Sequence, residues 1–168
     1  MSLKKIKSIG FLIISFLTLI VFNSCSKSDP TPPAPNYTNF KITNVQVNSI
    51  PQLDPNGNDW DLGGYPDIYF NMEDVNNIVL FNGSGNPFAD VTQLPISWNF
   101  INSYQITNTS ITHYVTVYDD DLGPTTSNIY DETIGYVGFK MDDYKSGYQT
   151  TITKSNGSLS VTITGAWY

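Results

Sequence analysis

The sequence predicts an all-β fold, eight antiparallel strands in a two-sheet sandwich over residues 39–168. Three observations carry this. From Asn39 onward, short apolar or alternating runs are separated by clusters of Gly, Pro, Asn and Asp. Aromatic residues make up 14% of the chain, Thr and Asn are frequent, and strong helix formers are scarce. No stretch repeats its apolar residues at helical spacing over a window of about 11 residues.

Each strand has its own signal. Phe40 and Ile42 share one parity while Val45 and Val47 share the other, which predicts a bulge near Thr43. Ile68 with Phe70, Ile78 with Leu80, and Ile96 with Trp98 and Phe100 mark the next three strands. Val115 and Val117 alternate with Tyr114, Thr116 and Tyr118. Val137, Phe139 and Met141 alternate with Tyr136, Gly138 and Lys140. Ile152 precedes Ser155-Asn156-Gly157, a hairpin signal. Leu159, Val161, Ile163 and Trp167 then share one parity in the last strand. A domain of about 130 residues buries roughly two thirds of its unfolded surface, so it needs no disulfide. None can form within the chain, because Cys25 is its single cysteine.

The first 24 residues read as a secretory signal. Lys4, Lys5 and Lys7 are followed by an apolar run, Ile9 to Phe22. As a helix this run spans about 21 Å, short of the ~30 Å hydrocarbon core. It ends in Phe22-Asn23-Ser24-Cys25, which resembles the lipobox of bacterial lipoproteins of the Bacteroidota type, with Phe22 in place of the usual Leu. The resemblance implies a diacylated Cys25 as the mature N-terminus, with more than one acyl chain giving stable anchoring. The plainer alternative is an ordinary secretory signal with an incidental cysteine. Ser26-Lys27-Ser28-Asp29 resembles a surface-export signal of such lipoproteins, and residues 25–38, with Pro30, Pro32, Pro33 and Pro35, read as a stiff tether. The expected address is a bacterial membrane, the outer membrane, with the cell surface as its exposed face.

Charge narrows the function. Eight Lys and no Arg stand against fifteen acids, a formal net charge of −7. Nucleic acid is excluded as a partner, since duplex binding rests on cations neutralising phosphates. The single His113 and the single Cys leave no multi-His or Cys-rich metal centre. No nucleophile-elbow motif accompanies His113, and the chain is read as a non-enzyme. Paired-carboxylate hydrolysis lacks a surrounding cleft signature.

Nine of the fifteen acids fall in two inter-strand stretches: Asp54, Asp59, Asp61 and Asp67, then Asp119, Asp120, Asp121, Asp131 and Glu132. Solvated turns are one reading, since Asp and Asn favour turns. If the loops converge, a hard cation would relieve their repulsion, and Ca²⁺ suits an oxygen cluster of flexible geometry better than Mg²⁺.

Those stretches also resemble the calcium loops of C2 domains. In LDPNGNDWDLGGYPDIYFNM, Asp61 and Asp67 have the six-residue spacing of the first loop, and PDIYF stands where DPYV would. In VTVYDDDLGPTTSNIYDETIG, Asp119 and Asp121 form the Asp-x-Asp pair of the third loop, and Glu132 precedes Gly135. Glu132 stands where Asp is usual, Asp131 is adjacent, and Asp54 offers a second start for the first loop. The resemblance covers about Asn39 to Tyr168 and implies the permuted, type-II topology, with the last strand in the place of a missing first one. It implies Ca²⁺ held weakly by Asp61, Asp67, Asp119, Asp121 and Asp131 or Glu132, with the carbonyls of Trp60 and Asp120. It further implies a phospholipid or other anionic ligand on the bound ion, and bilayer contact at the loop tips through Trp60, Leu62 and Leu122. Against this stands a surface adhesion or glycan-binding module with calcium structural or absent. Tyr37, Trp98, Tyr104, Tyr144 and Tyr148 would be its sugar platform, or plain β-sheet aromatics.

Overall fold

Eight strands account for about half of the described residues in a computed structural model, which describes residues 36–61, 64–76, 78–121 and 131–168. The signal segment, Cys25, most of the tether, Leu62 and Leu122 lie outside the described residues. The strands are β1 (Phe40–Ser49), β2 (Ile68–Asp74), β3 (Val79–Asn82), β4 (Ile96–Ile106), β5 (His113–Asp119), β6 (Glu132–Phe139), β7 (Thr151–Asn156) and β8 (Leu159–Trp167). One 3-10 turn, Met141–Gly147, joins β6 to β7.

They form two four-stranded sheets, ordered β4-β1-β8-β7 and β3-β2-β5-β6, and all six strand pairings are antiparallel. The expected all-β sandwich is therefore the observed one. Inward-facing residues of both sheets share one core, including Phe40, Ile42, Val45, Val47, Phe70, Met72, Val115, Val117 and Ile163.

The parity break in β1 is a bulge. Pairing with both β4 and β8 shifts between Ile42 and Asn44, so Phe40, Ile42, Val45 and Val47 all point inward and all are fully buried. A second shift, between Val117 and Tyr118 in the β5–β6 pair, lets Ile134 and Val137 both reach the core despite opposite parity. The β7–β8 hairpin closes on the pair Asn156 and Leu159, with Gly157 in the left-handed region at φ 58°. Gly165 is required by a close approach: a Cβ there would lie 2.2 Å from the Lys41 carbonyl and 2.6 Å from the Phe40 ring. Ile78 lies one residue before β3 and is exposed, so it marks the strand's start and adds nothing to the core.

Alternation also decides where the ionisable groups sit. On β5 the inward face reads His113, Val115, Val117, Asp119, and all four are buried. On β2 it reads Ile68, Phe70, Met72, Asp74, again all buried. The two strands pair Ile68 with Asp119 and Asp74 with His113. A carboxylate thus closes the inward face at each end of this strand pair, Asp119 at one and Asp74 at the other.

Candidate metal centre

The two carboxylates meet different fates. Asp74 accepts hydrogen bonds from the backbone N–H of Asn76 (2.8 Å) and of Ile78 (3.0 Å), capping the β2–β3 turn. Those donors, the Ile78 N–H first, hold its carboxyl below the usual range. Asp119 is fully buried, and its Oδ1 accepts from the Asp67 N–H at 2.7 Å. Its Oδ2 is buried and has no hydrogen-bond partner among the described residues. Burial, followed by the negative charges of Asp61, Asp121 and Asp67, pushes the Asp119 carboxyl up to about 7 against the one hydrogen bond that opposes it.

Carboxylate oxygens of Asp61, Asp119 and Asp121 all lie within 4.8 Å of one another. Asp119 enters from the end of β5, Asp121 follows it by two residues, and Asp61 comes from the β1–β2 loop. At that separation each ionised pair repels by about 3.5 kcal/mol at an effective dielectric of 20. Burial raises the pKa of Asp61, with Asp67 and Asp90 adding to it. Burial likewise raises Asp121, with Glu132, Asp61, Asp131 and Asp120 adding. Among the described residues, the charges raising the trio are all carboxylates.

The other acids expected at this site take supporting places. The Asp67 backbone ties the loops together: its N–H donates to Asp119, and its carbonyl accepts from the Asp120 N–H at 2.8 Å. Its side-chain Oδ1 accepts the Asp90 N–H at 2.6 Å. Asp131 accepts the Tyr69 hydroxyl at 2.5 Å, and its Oδ1 is buried without a partner among the described residues. Burial first, then this bond to Asp131, raises the Tyr69 phenol far above its usual range. Glu132 pairs with Asp119 across β5–β6 and is half-buried. Asp54 stands apart, folded onto its own loop by the N–H groups of Asn56 (2.8 Å) and Asn58 (2.7 Å).

Two findings go beyond the sequence reading or correct it. Asp90, from the β3–β4 loop, joins the acidic end at φ 48°, where its N–H meets Asp67. A single acid in FADV carries no spacing signal that would have found it. Trp60 is not a loop-tip side chain open to a bilayer: it is 8% exposed, belongs to the core, and its indole N–H donates to the Pro51 carbonyl at 2.9 Å. Leu53 in the same loop is half exposed, so the larger apolar ring took the buried position. Leu62 and Leu122, the companion tip residues, lie outside the described residues.

The suggested aromatic platform is dispersed. Tyr37 meets Tyr148 edge-on, and Tyr148 meets Trp167, whereas Trp98 and Tyr104 belong to β4 at the far edge of the same sheet. His113 is buried, which lowers its pKa and favours the neutral ring despite Asp74 nearby. No protein-family model matches the chain, and a search of curated proteins finds no significant match.

Proposed function

We propose that this chain is an exported, lipid-anchored C2-like module that binds Ca²⁺ between its acidic loops. One observation carries the metal reading. A fully buried carboxylate, Asp119, leaves one oxygen without a donor beside two further carboxylates within 4.8 Å. Buried polar atoms are normally bonded, and a buried charge is normally paired. Asp74, by contrast, takes its donors from its own turn, while the buried Oδ1 of Asp131 shares the deficit of Asp119.

Asp61, Asp119 and Asp121 would supply side-chain oxygens. Asp67, Asp131, Glu132 and the carbonyls of Trp60 and Asp120 are the remaining candidates for a shell of six to eight. A divalent cation would cancel the mutual repulsion and order the loops. Open coordination positions would then take an anionic ligand such as a phospholipid headgroup. In the permuted C2 reading, β8, which lies between β1 and β7 in its sheet, would take the place of a missing first strand. The membrane anchor rests on the lipobox-like sequence at Cys25.

Calcium titration by calorimetry tests the reading, with Asp67→Asn and Asp119→Asn as controls. Saturable heat in the 10⁻⁴–10⁻³ M range typical of extracellular modules, lost in Asp119→Asn, is expected. No heat and no thermal upshift in millimolar calcium would refute it. Pelleting with vesicles of phosphatidylserine and phosphatidylcholine, with and without calcium, tests the headgroup step.

A further inference from the structure

The two sheets place their edge strands β4 and β3 at the ends of their orders, and a groove of about 580 Å³ is lined by residues of both strands and of the loop after β3. That volume lies within the range of small-ligand sites. Its chemistry is unlike that of the acidic end. Phe81, Phe88 and Trp98 supply aromatic surface, Asn82, Asn86 and Asn99 supply amides, and none of the described lining residues is charged.

The groove is built rather than incidental. Phe88 is 38% exposed, yet its backbone is fixed to Ile68 by two reciprocal bonds of 2.8 Å. Its ring stands edge-on to Trp98 at 4.9 Å and 88°, and Trp98 stands edge-on to Phe70 at 4.9 Å and 75°. Gly83 lets the loop lie against β2, because a Cβ there would come within 2.4 Å of the Phe70 carbonyl. Trp98 is 7% exposed, and its indole N–H has no acceptor among the described residues.

We propose that this groove binds a neutral saccharide. Aromatic surface, Phe88 above all, matches the apolar C–H face of a pyranose, and the amides match its hydroxyls. A lining without charge on so acidic a chain offers nothing to an anionic sugar or a headgroup. The groove's residues are not those of the proposed calcium site, so the two readings stand or fall separately.

The test is calorimetric titration of the full chain with cellohexaose, mannohexaose and chitohexaose in EDTA, with a heparin hexasaccharide as charged control. At least one neutral hexasaccharide should bind with a Kd below about 1 mM and change tryptophan fluorescence. Phe88→Ala, at an exposed side chain, should weaken binding at least about tenfold with an unchanged circular dichroism spectrum. Asn86→Ala, at an exposed position, is the second variant and should also weaken it. Failure of all three neutral sugars to bind would overturn the proposal. So would equal binding of the heparin fragment, or binding that both variants leave intact.

Discussion

Replacing Asp119 by Asn removes one negative charge and little else. The amide oxygen can still accept the Asp67 N–H, and the amide nitrogen faces carboxylates that can accept from it. In the metal-free parent, the folded state holds the Asp119 proton up to about pH 7, whereas the unfolded chain releases it near 3.8. Between those values the folded state binds more protons, so stability falls as pH rises and stays low above 7. At about 1.4 kcal/mol per pKa unit the loss is at most about 4 kcal/mol. His113 adds a limb of opposite sign, because its pKa is lowered: stability falls as pH drops below the unfolded 6.5. That limb is common to parent and variant and cancels in their difference. Asp119→Asn should therefore flatten the pH 4–7 limb and, at pH 8 in EDTA, melt higher than the parent by roughly 1–4 kcal/mol, or about 4–15 °C. In 10 mM calcium the gap should shift toward the parent. A site with Kd of 10⁻⁴–10⁻³ M stabilises the parent by about 1.4–2.7 kcal/mol, and the variant should gain little. Thermal melts by circular dichroism at pH 4.5 and 8, with EDTA or calcium, read all of this. A variant less stable than the parent at pH 8 in EDTA, or one that gains as much from calcium, would refute the reasoning.

The remaining predictions concern the frame around that site. Gly165→Ala should cost about 2–3 kcal/mol or prevent folding, because its Cβ would meet a backbone carbonyl at 2.2 Å that cannot move aside; urea denaturation measures it. Tyr69→Phe strips Asp131 of its hydroxyl donor and should lower stability by about 1–2 kcal/mol at pH 7, read by urea denaturation. Trp60→Phe keeps a ring in the core but loses the bond to Pro51, so a loss of about 1 kcal/mol in a thermal melt is expected. Cys25→Ala should move the exported chain from the membrane fraction to the soluble one and abolish palmitate incorporation; retention in the membrane would remove lipidation from the account.

Period-two alternation made most of the fold legible in advance. Most strands carry it, β3 with its burial of exposed, half-buried, half-buried, exposed being the exception, and even the broken parity of β1 located its bulge, because Phe40, Ile42, Val45 and Val47 can share one face only if a residue is added between them. The same alternation held the key to the site. Asp119 stands two residues beyond Val117 on the inward face, so an extended strand had to bury it. Loop-borne residues were less legible. Asp90 reaches the acidic end only through the path of the β3–β4 loop, which no local pattern specifies. The direction of Trp60 was likewise open in the sequence, since an indole suits both a loop tip and a core, and the Pro51 carbonyl decided it. The β3–β4 groove needed both sheet edges in place before its aromatic and amide residues could be seen as neighbours.

The claim on which the functional reading rests is that the orphaned oxygen of Asp119 belongs to a cation shell with Asp61 and Asp121. Diffraction from crystals grown in millimolar calcium, read for anomalous density, tests it most directly. The account predicts a peak 2.3–2.6 Å from oxygens of all three side chains, with six to eight oxygens in total. Density for no ion there, with the Asp119 Oδ2 bonded instead to a protonated neighbour or a water, would contradict it.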